Sequence, residues 1–310
     1  MMMKTKVFYL PVLFAFAVTA QSQVTLEIKH KEKARVSIRN NIKTSQVLKL
    51  AGQELISKNT QAIIIEYDTG PRAADGTLRT KAVIKRWTGK WEFPGGIMME
   101  FDSEVPDRKA PVAQLEPVLE LLRVMLRNPV THVFNKDGSV KSVEVTKDAV
   151  NSLPKEFKNE LSPKKLGEEL KQQHEILPNK AILKGDTWVR NQKANFGNGQ
   201  TMTFRVDFKY GGTVKKDERT LDRISGDITD VEYKMEGENQ GPLKLKDSQL
   251  KAVKSSMDVL FDRKLGRFIT IKFLVHVKGD LTFEANGMDL PAKLELKITQ
   301  NTEDLPKEEK

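Results

Sequence analysis

Met202-Thr203-Phe204-Arg205-Val206-Asp207-Phe208-Lys209-Tyr210 alternates apolar and polar side chains without a break. In an extended chain successive side chains point to opposite faces, so Met202, Phe204, Val206, Phe208 and Tyr210 share one face. Thr203, Arg205, Asp207 and Lys209 share the other. A strand that is apolar on one side and wetted on the other belongs to an antiparallel sheet packed on one core. Ile269, Ile271, Phe273, Val275 and Val277 repeat the pattern, and Leu294, Leu296 and Ile298 alternate with lysine and glutamate. Val24, Leu26 and Ile28, then Val36 and Ile38, extend it to the other end of the chain.

Turn chemistry separates these runs. Asn198-Gly199 leads into the quoted strand, Gly279-Asp280 is expected to reverse the chain, and Thr88-Gly89 reads as a hairpin tip between Trp87 and Trp91. Asn135-Lys136-Asp137-Gly138 supplies a hairpin turn between Val130–Phe134 and Val140–Val145, while Gly70-Pro71 and Asp75-Gly76 mark a longer connection.

Only the middle of the chain reads as helical. Leu115, Val118, Leu119, Leu122, Met125 and Leu126 recur at three- and four-residue steps, with Pro117 near the start and Pro129 after the end. Thr146 is placed to cap a short helix, and Ser162-Pro163 opens another that runs to about Gln173. Strands, helices, then strands again predict an α+β protein: a large curved antiparallel sheet, half-barrel-like, covered on one face by a central group of helices. Three stretches, Ile63-Ile64-Ile65, Ile97-Met98-Met99 and Phe273-Leu274-Val275, are apolar on both faces and are expected to be buried on both sides or to surround a cavity.

Outward from the fold, the N-terminus carries Lys4 and Lys6, an apolar run from Val7 to Ala20, and small residues Val18 and Ala20 at cleavage spacing. That run is too short to span a bilayer, so residues 1–20 read as a signal peptide. The expectation is a soluble exported protein, periplasmic or secreted, with no transmembrane segment after cleavage. Residues 21–302 form a single unit, with strands over 21–110, helices and a hairpin over 111–178 and strands over 179–302, followed by a charged tail over 303–310. The net charge of +10 is dispersed rather than gathered, which favours solubility over nucleic-acid binding. Cysteine is absent, which removes disulfides, thiolate metal sites and a cysteine nucleophile.

Candidate chemistry is thin. His30, His132, His174 and His276 are not at metal-ligand spacing and read as isolated side chains. Ser162-Pro163-Lys164-Lys165 matches a serine–lysine pattern, but its partner motifs are missing and Ser162 has a capping role. Val133–Glu144 imitates a calcium loop without its first carboxylate, and Gly95-Gly96 and Gly211-Gly212 lack a phosphate-loop context. No catalytic residue, metal or cofactor is predicted. Lys85-Arg86-Trp87-Thr88-Gly89-Lys90-Trp91 interleaves cations with aromatics, making Trp87 and Trp91 candidates for a docking surface.

The phrases Phe134-Asn135-Lys136-Asp137-Gly138-Ser139-Val140, Gly185-Asp186-Thr187-Trp188 and Phe261-Asp262 through Gly266-Arg267-Phe268, together with the leader, resemble a family of uncharacterised exported bacterial envelope proteins. The element order is similar to that of lipoprotein-carrier half-barrels, in which helices plug a curved sheet around an apolar pocket. The resemblance implies apolar ligand binding, and one fold hosts many functions. The leading expectation is a non-enzymatic envelope protein that holds a lipid or acylated partner between the sheet and its helices. Leu119, Leu122, Met125, Phe204, Phe208, Ile271 and Phe273 are the expected lining residues. A structural module docking another envelope protein is the alternative, and an unrecognised hydrolase the third reading.

Overall fold

The computed structural model describes residues 22–197, 199–216, 218–235 and 243–306. The leader over 1–20, Asn198 of the Asn198-Gly199 turn and the last four residues of the tail lie outside them. Among the described residues twelve strands form one antiparallel sheet: β1 (Ala34–Leu50), β2 (Gln53–Thr69), β3 (Leu78–Phe93), β4 (Ile97–Asp102), β5 (Val130–Phe134), β6 (Val140–Glu144), β7 (Thr187–Gly197), β8 (Gln200–Lys216), β9 (Arg219–Met235), β10 (Lys244–Asp262), β11 (Arg267–Ala285) and β12 (Met288–Leu305). Their order across the sheet is β6-β5-β3-β2-β1-β12-β11-β10-β9-β8-β7, with β4 paired to β3. The pairs join chain neighbours except at β3 and β5, which skip β4, and at β1 and β12, which sew the first half of the chain to the last.

Tight turns make this possible. Ala51-Gly52 joins β1 to β2 and Asn286-Gly287 joins β11 to β12, each with both residues at positive φ, the two-residue geometry whose twist matches that of paired strands. Gly279-Asp280 is not a turn; it lies inside β11, where Gly279 lets the backbone of Gln249 approach. Thr88-Gly89 likewise lies within β3, because Gly89 makes room for the Trp91 ring laid over it. β12 continues to Leu305, since Glu303 and Asp304 find partners in Arg39 and Arg267.

The sheet is open but strongly bent. β8 and β11 are separated by two strands, which in a flat sheet places them about 14 Å apart. Phe204 of β8 and Phe273 of β11 nevertheless meet with ring centroids 6.1 Å apart. The C-terminal strands therefore curl around their own core, in which Phe208, Ile224, Val259, Phe261 and Val277 are wholly buried. Residues 22–33 do not form the predicted strand. This segment crosses one end of the curl, with Val24 bridging Ile182, Lys29 N–H donating to the Gly266 carbonyl, and Leu26 sunk into the core.

Three helices cover the other half of the concave face: α1 (Glu116–Arg127), α2 (Lys147–Asn151) and α3 (Pro163–His174), with a 3-10 segment at Lys155–Leu161. Thr146 and Ser162 cap α2 and α3, their hydroxyls accepting from the N–H groups of Ala149 and Lys165. α3 sits against both edges of the open sheet. Leu170 packs on the β5–β6 hairpin, and the Gln172 amide, oriented to satisfy both its atoms, pairs with the backbone N–H and carbonyl of Lys193 in β7. The helix thereby blocks a free strand edge that invites further pairing.

Candidate functional site

The site begins with one small residue. On the concave face Tyr67 of β2 stands opposite Ala82 of β3, which stands opposite Val130 of β5. A methyl between two larger side chains leaves a depression, and the helices roof it without filling it. The result is a cavity of about 190 Å³. Its floor includes Ile65, Tyr67 and Ile84; its roof is Met125 of α1, Leu161, and Leu166 and Leu170 of α3. Glu169 and Gln173, one turn apart on α3 and exposed, stand at its mouth with Asn128. Asn128 is already engaged, its amide donating to the Val124 carbonyl and its oxygen accepting from Thr146.

One wall is an aromatic cluster. The His132 ring lies 5.9 Å from that of Tyr67 and 6.2 Å from that of Phe134. Phe134 stacks in turn on His30 at 3.6 Å and on His174 at 5.9 Å. Three of the four histidines, expected as isolated side chains, thus converge from the N-terminal segment, β5 and α3. Burial among apolar neighbours drives His132 down to about 4, with His174 adding to the effect. Burial also takes His30 to about 4 and lowers His174. Burial raises the Tyr67 hydroxyl to about 12. The walls are therefore uncharged near neutral pH. Among the described residues no hydrogen bond links His132 to a carboxylate or hydroxyl, as a general base requires for activation of a nucleophile. Chemically, the site offers apolar contact and a polar mouth.

The sequence-predicted lining residues do not gather in one place. Leu119 and Leu122 pack with Trp87, Met99 and Phe101. Met125 alone lines the cavity. Phe204 and Phe208 belong to the C-terminal core, and Ile271 and Phe273 pack against it. The separation is visible in the register: Ile271 faces Thr302, Thr302 faces Asn40, Asn40 faces Ile63, and Ile63 faces Trp87. A polar rung, with the Thr302 hydroxyl donating to Asn40 at 3.1 Å, divides the concave face into two apolar lobes. Periodicity reported which side chains face inward, and nothing in it reported that the rows part. The docking surface is also corrected. Trp87 is 5% exposed and its indole N–H donates to Gln61, while Trp91 is half-buried. Ile97 and Met98, expected inside, are exposed at the start of β4, where only Met99 points into the core.

A second, wider depression of about 660 Å³ lies over β1–β4. Among its charges Glu100 pairs with Lys90 and Arg108, and Asp102 with Arg86, whose hydrogen bond lowers the Asp102 carboxyl to about 2, while Lys43 also lines the depression. Among the described residues no cluster suits a metal ion, and no helix is long and apolar enough to cross a membrane.

A family model described as a family of unknown function, DUF6263, matches residues 75–249. The chain belongs to this family. The matched region holds the cavity's roof and the β3 and β5 parts of its floor, including Ala82, Met125, His132 and Glu169. No curated protein matches the DUF6263 chain. Among solved structures it is similar to a lipovitellin structure described by its lipid–protein interactions, at 9% identity and TM-score 0.36 over 91% of this chain and 26% of that one. The DUF6263 chain thus spans about a quarter of that protein. An outer membrane lipoprotein-sorting domain from Vibrio parahaemolyticus is 8% identical, TM-score 0.15, over 88% and 87% of the two chains. A DUF1329 family protein from Desulfovibrio piger ATCC 29098 is 8% identical, TM-score 0.14, over 83% of each. Likeness at this level carries no ligand or partner to the present chain.

Proposed function

We propose that this DUF6263 chain is a non-catalytic, exported protein of the bacterial envelope that seats a small apolar group between sheet and helices, presented by a lipid or by an acylated partner. The cavity over Ala82 is the observation that carries this reading. At about 190 Å³ it falls below the ~300 Å³ at which drug-sized ligand pockets begin and above the ~150 Å³ of an apolar cavity that admits benzene. The occupant is accordingly one ring or the end of one chain, with the rest of its molecule outside the mouth. The leader read from Met1 to Ala20 supports export. Mass spectrometry of organic extracts from natively purified protein tests the reading. An apolar molecule that co-purifies with the native chain and is absent from an Ala82→Leu variant supports it. Extracts free of any such molecule, together with no binding of small aromatic probes, would overturn it.

A further inference from the structure

The charge inventory around the cavity is lopsided. Of the described residues that line it, only Tyr67, His132 and Glu169 are ionisable, and neither lysine nor arginine is among them. This is unusual for a chain with 52 basic against 42 acidic residues. Lys165 of α3 pairs with Glu160 and also acts on Glu169: burial raises the Glu169 carboxyl above its ordinary value, and Lys165 opposes that rise. His132 is neutral for the reason given above, and the Asn128 amide is committed to Val124. A ligand whose apolar end fills the space over Ala82 must hold its polar end beside Glu169 and Gln173.

We propose, on the basis of the binding reading above, that the cavity selects apolar groups bearing a neutral or amine-type polar end and rejects those ending in a carboxylate. An ammonium at the mouth gains a charge-assisted hydrogen bond to the Glu169 carboxylate. A carboxylate in the same place meets a like charge and finds no lining cation, so it must give up water without compensation. Gln173, an amide on the same helical face, serves a hydroxyl or amide end equally well. The ligand class is thus an amine- or alcohol-terminated apolar molecule, and free fatty acids fall outside it.

The experiment compares benzylamine, benzyl alcohol and phenylacetate, which share a ring that fits the cavity and differ in the charge at its end. Binding is read from shifts of the Met125 methyl resonance as each probe is titrated into the full chain at low salt. Benzylamine is expected to bind about ten-fold more tightly than phenylacetate, the ratio that one hydrogen bond to a charged group supplies. Benzyl alcohol should fall between them. Glu169→Gln, at an exposed position, should bring benzylamine and phenylacetate within about two-fold of each other. Phenylacetate binding as tightly as benzylamine, or a preference unchanged in Glu169→Gln, overturns the selectivity while leaving the cavity reading in place. Failure of all three probes overturns both.

Discussion

The imidazole of His30 lies on the ring of Phe134, 3.6 Å between centroids and 19° from parallel. His30 belongs to the segment crossing the end of the curl and Phe134 to β5, and the same phenyl ring faces His174 of α3 and His132. One aromatic side chain therefore ties three parts of the fold together through groups that titrate.

That arrangement predicts acid sensitivity. His30 and His132 titrate near 4 in the folded protein against an ordinary 6.5, so the unfolded chain binds more protons between those values. Stability is then fully present above about pH 6.5 and falls as pH drops toward 4, by a few kcal/mol in all. Arg72 beside His30 works in the same direction. Urea midpoints measured from pH 7.5 to 4 should decline over this window, and the decline should flatten in the His30→Gln/His132→Gln double variant. A native protein with a level midpoint across the window contradicts the buried, neutral assignment.

The contact between Phe204 and Phe273 predicts which substitutions uncurl the sheet. Phe204 is 3% exposed and Phe208 wholly buried, so Phe204→Ala and Phe208→Ala should each cost about 3–5 kcal/mol in chemical denaturation. Leu265→Ala, at an exposed side chain in the β10–β11 turn, should cost less than about 0.5 kcal/mol. Similar losses at all three positions would show that the curl has no solid interior.

These same residues mark what was legible beforehand. Met202 to Tyr210 reads correctly as a strand because period-two alternation is a property of the strand itself. Thr146, Ser162 and the Asn135–Gly138 hairpin read correctly because caps and turns are settled by neighbours three or four residues away. The cavity and the histidine cluster were not legible, since both depend on register between distant strands. That Ala82 falls between Tyr67 and Val130, or that His30 reaches Phe134, is decided by a pairing across the sheet and a crossing of its end. Asn286-Gly287 was a legible hairpin signal, and the less specific Gly279-Asp280 stood in its place.

Gly279 itself yields a test of that correction. A Cβ there would stand 2.0 Å from the carbonyl oxygen of Gln249, whereas one at Gly287 would meet nothing within 4 Å. Gly287→Ala therefore carries only the cost of positive φ, about 1–2 kcal/mol. Gly279→Ala must also push β10 away and should cost several times as much. Comparable melting temperatures for the two variants would place Gly279 in an open turn after all.

In the C-terminal core Asp222, 2% exposed, accepts hydrogen bonds from Tyr210 at 2.6 Å and from Arg263. Removing the cation leaves a buried carboxylate with one neutral donor. Arg263→Met should cost about 3 kcal/mol or more, and pairing it with Asp222→Asn should recover part of that loss. If the double variant is no more stable than Arg263→Met, the carboxylate is not the group left wanting.

The cavity over Ala82 makes the last prediction, because it sets stability against binding at one position. Filling a void restores contacts that its walls lack, and such changes commonly add about 0.5–2 kcal/mol. Ala82→Leu projects its branch into the space between Tyr67 and Val130, so the variant should melt higher than the native chain while losing its response to benzyl alcohol. Met125→Ala, on the roof of the same space, should melt lower and admit a larger ring. The opposed pair distinguishes a retained cavity from an accident of packing: a fold that keeps a void at a cost in stability and closes it only on loss of ligand is using the void. Ala82→Leu that melts lower and still binds the probe would mean that the ring sits elsewhere, and the reading built on this site would go with it.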